Sequence, residues 1–362
     1  MTKPIDPPSV LSSTAPTGLP LKALLRRLAQ TLGPPLAGAV IALLLGAVLI
    51  ALSGTDPMVA YRAMLRGAFG GPRQLTETAL KATPLLMIGL GLTVAFKARV
   101  WNIGGEGQFF MGALFGSVIA LRFTELPAMV LIPVMLLAGV IGGALWGLIP
   151  ALLRTQRGIN EIISTLMLNY VALFIIEYVA RVPLRDPNGF LPESAQFVRA
   201  ARLPGLFGSR LHLGVFLVLL LIPLVYLLIW RTPVGFRLRA VGSKASVARF
   251  AGIFVERSII FVLIFSGGLA GLAGIIEVSF LHSRLKGGIS GGYGFTGILV
   301  ALLGRLHPVG VLFAAIFFSA LTIGANTMHT LVGLPVTLAD VIQALIVLFV
   351  VGFDAFFRLR RS

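Results

Sequence analysis

Long apolar runs separated by short polar breaks recur from residue 34 to residue 357, and no other feature limits the possible folds as strongly. About 20 consecutive apolar residues are what an α-helix needs to cross the hydrocarbon core of a bilayer. Inside that core every backbone N–H and C=O needs a partner, which a helix supplies along its own axis. Apolar windows fall at 34–52, 78–96, 107–121, 128–152, 161–180, 211–230, 258–281, 294–304, 309–328 and 335–357. They predict an all-α, polytopic transmembrane helix bundle of about ten spans. The 107–121 and 294–304 windows are short for a full crossing and read as half-helices or re-entrant segments. Ten crossings would leave both termini on one side.

Composition agrees with a membrane setting. Of 362 residues, 57% are hydrophobic and only 12% charged, half the charged share of an ordinary soluble domain. The net charge of +17 invites a nucleic-acid reading, but the basic residues punctuate apolar segments and no aromatic-basic motif accompanies them. Lipid phosphates are their expected partners. There is no cysteine, which excludes disulfides, thiolate metal sites and a cysteine nucleophile. His212, His282, His307 and His329 are scattered, so a metal site has no support.

Residues 1–33 form a polar tail ending in Lys22, Arg26 and Arg27 ahead of the first apolar run. A signal peptide is the competing reading, with Ala51-Leu52-Ser53 as its cleavage site, but the run exceeds the usual h-region of roughly 7–15 residues. An uncleaved span is expected. Lys97, Arg99, Arg154, Arg157, Arg305, a basic stretch from Arg231 to Arg257, and Arg358, Arg360 and Arg361 mark the inner side. Outer arginines (Arg62, Arg66, Arg73, Arg181, Arg185, Arg199, Arg202, Arg210) lie mostly in two longer loops, 53–77 and 181–210, which count less toward topology. The chain thus divides into a cytoplasmic tail (1–33), a transmembrane domain (34–357, inner loop 231–257) and a cytoplasmic end (358–362). No polar stretch can hold a catalytic domain, so any hydrolysis that drives this protein belongs to another chain.

Polar islands interrupt the apolar background. In "KARVWNIGGEGQFFMGA" (97–113), Gly104-Gly105-Glu106-Gly107 lacks the GK[ST] of a phosphate loop, and its carboxylate would repel phosphate. A carboxylate at a helix centre costs roughly 2.5–3.5 kcal/mol on insertion scales, so Glu106 should face protein or water. Asn102, Glu106 and Gln108 either pin two helices as a hydrogen-bonded elbow on the inner side or line a pathway. Asn160 reads as the N-cap of the fifth span or as a substrate contact, with Asn169 about two turns beyond Glu161 and Glu177 another two turns along. Arg181 stands in pairing range of Glu177. Glu277 lies near the outer end of the seventh span with no obvious neighbour. "LKGGISGGYGFTGILVALLGRLHPVGVLFAA" (285–315) repeats the style of the first island, and the two predict pseudo-symmetric halves with short or broken helices.

"RTPVGFRLRAVGSKASVARFAGI" (231–253) alternates small residues with charge. Gly235, Arg239, Ala240, Gly242, Ala248, Gly252 and Ile253 give it the pattern of a short helix gripped by a partner. The loop resembles the cytoplasmic coupling segment of ABC importer permeases in the branch that carries branched-chain amino acids, ribose-type sugars and nucleosides. "FKARVWNIGGEGQFFMGA", "GINEIISTLMLNYVA" and "GYGFTGILVALLGRLHPVGVLFAA" are most similar to permeases of bacterial nucleoside importers linked to a basic-membrane-protein-type lipoprotein. The resemblance runs from about Leu75 to Phe357. It implies a non-enzymatic permease in the bacterial inner membrane, ATP and Mg held on a separate ATPase, a second related permease in a heterodimer or homodimer, and an extracytoplasmic binding lipoprotein. Candidate pathway residues, chosen by side-chain type, are Asn102, Glu106, Gln108, Asn160, Asn169, Glu177, Glu277 and Phe295, with Tyr170, Phe109 and Phe110 beside them. Simple sugars such as ribose remain an alternative substrate class. An ion-coupled secondary transporter using Glu106, Glu177, Glu277 or Asp340 is the rival mechanism, though it leaves the 235–253 pattern without a role. A channel lacks a charged ring or filter repeat, and a membrane enzyme lacks a metal or nucleophile motif.

Overall fold

The computed structural model describes residues 21–205 and 210–359; residues 1–20 of the expected tail, and Arg360 and Arg361 at its other end, lie outside them. Thirteen α-helices appear among the described residues: α1 (Leu21–Leu52), α2 (Pro57–Phe69), α3 (Pro72–Lys97), α4 (Gly105–Arg122), α5 (Ala128–Arg157), α6 (Glu161–Arg181), α7 (Leu213–Arg231), α8 (Pro233–Ser243), α9 (Ala245–Phe250), α10 (Val255–Glu277), α11 (Tyr293–Leu303), α12 (Pro308–Val332) and α13 (Val336–Leu359). A π turn, Val278–His282, continues α10. Only isolated β-bridges occur among these residues, including Arg185 with Ser194 and Glu193 with Lys286.

Helix starts follow local chemistry. Pro57, Pro72, Pro233 and Pro308 stand in first turns, where a missing N–H costs nothing. Asp56, Asn160 and Thr232 cap the orphan N–H groups of α2, α6 and α8.

The expected ten spans reduce to about seven. Six helices are long and apolar enough to cross: α3, α5, α6, α7, α10 with its π turn, and α12. A seventh is counted if residues Ala37–Leu52 of α1 and all of α2, bent by 117°, are one broken span. The other three windows fall short for separate reasons. α4 is 18 residues long but opens on Gly-Glu-Gly-Gln; α11 has only 11 residues; α13 is described without interruption only over Asp340–Val350, too short a stretch to be counted. The 53–77 segment, expected as an outer loop, instead folds into α2 and the first turns of α3. α2 is amphipathic, which hides it from a search for continuous apolar runs. It buries Ala60, Ala63, Met64, Gly67 and Ala68.

α3 and α10 form the centre, with 89% and 78% of their apolar windows buried. α4, α5 and α10 cross at backbone contact. A methyl group built at Gly271 would overlap the Gly139 carbonyl oxygen and sit 2.8 Å from Gly143 Cα, and one built at Gly112 would overlap Gly271 itself. Small residues allow such approach where lipid supplies no hydrophobic drive between helices. A second apolar cluster joins α1, α2, α12 and α13 through Ala42, Ile50, Met64, Met328 and Ile342. α8 and α9 sit at the bundle end that holds the C-terminus of α3. At the opposite end, residues 182–205 fold over the π turn, with Phe197 N–H donating to Ser283 and Leu285 N–H to Ser194 Oγ.

Candidate functional site

α3 ends at Lys97. Ala98 and Arg99 form a turn, with Arg99 in the left-handed region (φ 55°) and Val100 N–H donating to the Ala95 carbonyl, and residues 100–103 carry no regular structure before α4 begins. Asn102 is fully buried and organises this elbow. Its amide nitrogen donates to Gln108 Oε1 (2.9 Å) and Ser266 Oγ (2.7 Å); its oxygen accepts from Gly104 N–H (2.9 Å) and Gln108 Nε2 (3.2 Å). Asn169 does the same job from α6, accepting from Gly107 N–H at 2.8 Å and donating to the Ile103 carbonyl at 2.9 Å. Thr165 Oγ accepts from Ile103 N–H at 3.2 Å. Ser266 is the midpoint of α10 and Asn169 lies near the midpoint of α6. The elbow therefore runs from the end of α3, where Trp101 meets the N-terminus of α6, to mid-height at Asn102 and Ile103, where broken backbone is tolerated only when packed inside protein or lining a cavity.

Glu106, in the first turn of α4, reaches the other broken helix. Its Oε2 accepts from Gly294 N–H at 2.7 Å, and Ser290 and Gly292 add hydrogen bonds to the same carboxylate. A side chain at Gly294 would overlap the Glu106 backbone. The N-termini of α4 and α11 thus meet, and the carboxylate takes the Gly294 N–H and faces the positive dipole end of α11, while Tyr293 N–H donates to Ser290 Oγ at 3.0 Å. Glu106 braces the junction between the two glycine-rich islands.

Other candidates lie elsewhere. Asn160 is exposed and caps α6, accepting from Ile162 N–H at 2.8 Å. Neighbouring Glu161 pairs with Arg154 and accepts from Trp101 N–H at 3.3 Å, tying α5, α6 and the elbow together. Glu177 is half-buried and pairs with Arg181 at 3.8 Å. Phe295 is half-exposed on α11, Tyr170 is exposed, and Phe109 and Phe110 are buried. Asp340 is exposed on α13.

Glu277 has partners that local spacing does not reveal. Tyr293 Oη donates to its Oε1 at 3.0 Å, and Lys81 Nζ lies 3.5 Å away. Neither Lys81 nor Tyr293 stood among the expected site residues. The available signal for Lys81 was a charge inside an apolar window.

The 231–257 segment folds into α8 and α9. Gly235 accommodates the turn from α7 and donates its N–H to Thr232 Oγ1 at 3.1 Å, while Arg239 donates to the Ile229 carbonyl. Gly242 abuts the end of α3, where a methyl would overlap the Lys97 carbonyl oxygen. Ala248 is buried, Ala240 and Ile253 are half-buried, and Gly252 is exposed with φ 79°. The outward surface carries Phe236, Val247 and Phe250, the last 96% exposed, beside exposed Arg237, Lys244 and Arg249. A groove of about 710 Å³ runs between the two helices, floored by Ala240 and Ala248.

A helical membrane bundle whose central elements break at mid-height around buried amides and carboxylates has the build of a transport permease. The chain belongs to the family of branched-chain amino acid transport system permease components, whose model matches residues 74–351, and it is a multi-pass ABC transporter permease. It is 36% identical over 339 residues to the glucose ABC transporter permease protein TsgB13 of Haloferax volcanii, covering 91% of this chain and 89% of that one. It is 36% identical over 322 residues to the guanosine ABC transporter permease protein NupP of Bacillus subtilis (87% and 92% covered). The nucleoside ABC transporter permease protein NupB of Lactococcus lactis is 32% identical over 327 residues (87% and 89%). No solved structure matches the chain. The resemblance drawn from the two glycine-rich islands is borne out.

Proposed function

We propose that the chain forms half of the translocation path of a nucleoside importer. It sits in the bacterial inner membrane with the α8–α9 end in the cytoplasm. The observation that carries this reading is the likeness, over most of the chain, to permeases named for guanosine and nucleosides. A nucleoside is neutral and asks for hydrogen-bond partners and apolar surface rather than a counter-ion. The likeness to a glucose permease supports a second reading, transport of a simple sugar.

A separate ATPase, holding ATP and Mg, grips α8 and α9; Phe236, Val247 and Phe250 offer it apolar anchors rimmed by arginine and lysine. Because Gly242 rests on the end of α3, movement of α8 is passed directly to the helix that leads into the elbow. A second, related permease completes the path against the half-exposed face of α11, and an extracytoplasmic lipoprotein delivers substrate at the π-turn end. Of the carboxylates an ion-coupled carrier would use, Glu106 is bonded to α11, Glu177 pairs with Arg181 and Glu277 lies beside Lys81.

Uptake of labelled guanosine and glucose by cells carrying the intact system tests the reading. Guanosine should enter at the expense of ATP and be displaced by other nucleosides. Glucose uptake that nucleosides do not displace would favour the sugar reading, and uptake that collapses with a protonophore at constant ATP would overturn the coupling.

A further inference from the structure

Three helices bring Lys81 (α3), Glu277 (α10) and Tyr293 (α11) together at the π-turn end of the core. Lys81 Nζ donates to Tyr293 Oη at 2.5 Å and also lies 5.1 Å from the ring centroid; Tyr293 donates on to Glu277. The Glu277 side chain is 6% exposed and Tyr293 is 8% exposed, while the Lys81 side chain is 30% exposed, so the ammonium is the member of the cluster that reaches the surface. Phe109 backs the tyrosine ring at 5.9 Å between centroids. One turn along α3 from Lys81, Glu77 pairs with Arg210, which extends the polar line toward the 182–212 segment. The chain departs from regular helix here, with the π turn after Glu277 and left-handed Gly288, Gly291 and Gly292 before Tyr293. π turns inside helices concentrate at functional sites. None of the three side chains holds the elbow.

We propose that Lys81 and Tyr293, backed by Glu277, bind ring hydroxyl groups of the substrate as it enters the path. The proposal rests on the nucleoside reading above and assigns chemistry to one point in it. An ammonium carries three donors, of which two are engaged here; the tyrosine oxygen retains a lone pair beside its bond from lysine. A pair of neighbouring hydroxyls, as on ribose or on a hexose, accepts from the third ammonium proton and donates to the phenol oxygen. Hydroxyls both donate and accept, so they fit this alternating set better than a purely anionic or purely cationic group.

The test compares uptake of guanosine with 2′,3′-dideoxyguanosine by the complete transporter, each at saturating loaded binding protein, in wild type, Tyr293→Phe and Lys81→Met. Wild type should prefer the hydroxylated compound by about tenfold or more, the scale of a hydrogen bond to a charged group. That preference should fall toward one in both variants while dideoxyguanosine uptake is preserved. Tyr293→Phe keeps the packing on Phe109, so it reports even if Lys81→Met fails to insert. Equal loss for both compounds would make the cluster a helix latch and overturn the proposal, as would an unchanged preference. Wild type that carries no nucleoside at all refutes the nucleoside reading itself, whereas wild type that carries both compounds equally refutes only the hydroxyl site.

Discussion

Gly242→Ala is the substitution that most directly probes how α8 is tied to the transport core. A Cβ at this position overlaps the Lys97 carbonyl oxygen and stands 3.0 Å from its carbon and 3.2 Å from Ala98 Cα. All three atoms are backbone, so no side chain can swing aside. Restoring ordinary carbon contacts of about 3.5 Å requires α8 to retreat from α3 by roughly 1 Å. Overpacking of this kind costs about 1–3 kcal/mol. The better helix propensity of alanine returns at most about 1 kcal/mol, and less here because Gly242 is next to the end of α8. A net loss of about 1–2 kcal/mol is expected, seen as a lower thermal midpoint of the purified transporter and as ATP hydrolysis poorly matched to uptake. Phe250→Ala provides the contrast. Its ring is 96% exposed, so the midpoint should not move, yet coupling should weaken if the ring is an anchor for the ATPase. The reasoning fails if Gly242→Ala keeps the wild-type midpoint and coupling ratio, because the contact with α3 would then carry neither stability nor movement.

Asn102→Ala should cost about 2 kcal/mol or more, since it strands Gly104 N–H, Gln108 and Ser266 in a buried site; thermal unfolding measures this. Asn160→Ala removes only an exposed cap and should cost about 1 kcal/mol with uptake unchanged. Glu106→Gln keeps an oxygen for Gly294 N–H, so ATP-driven uptake should stay within a few-fold of wild type; abolition with normal folding would show that the charge itself is needed. Stability should depend on His212, whose ring is buried against Phe280 and accepts from Gly214 N–H, and whose pKa burial lowers from 6.5 to about 4. A depressed histidine pKa means the unfolded chain binds the extra proton, so stability is whole above pH 6.5 and falls as pH drops toward 4. At pH 5 the loss is about 2 kcal/mol by the usual conversion of 1.36 kcal/mol per pH unit. Thermal midpoints at pH 7.5 and 5 should show it in wild type, and His212→Asn should show less.

What the amino-acid sequence makes legible is what depends on near neighbours along the chain. The capping of α6 by Asn160 and the pairing of Glu177 with Arg181 span two and four residues, and both are present. The contacts that define the centre are different in kind. Asn102 meets Ser266 across 164 residues, Glu106 meets Gly294 across 188, and Lys81 meets Tyr293 across 212. No periodicity encodes such pairings, because a buried amide can be satisfied by any helix that passes it. For the same reason the elbow was legible as polar and bent but not as reaching to mid-height.

The two glycine-rich islands gain a common explanation from this geometry. Each leads into a helix that begins inside the bundle, α4 after residues 98–104 and α11 after residues 283–292. A helix begun there exposes up to four N–H groups with no water to satisfy them. α4 solves the problem with Asn102 and Asn169, both amides. α11 solves it with a carboxylate borrowed from α4. The glycines are required because the two starts approach at backbone distance, as the overlap of any Gly294 side chain with Glu106 shows. The junction can therefore come apart only if Glu106 finds new donors when α11 moves. Ser290 and Gly292 bond the same carboxylate, and Gly292 is the N-cap of α11, its carbonyl accepting from Thr296 N–H at 3.0 Å, so the loop, the helix start and Glu106 are tied together as one unit.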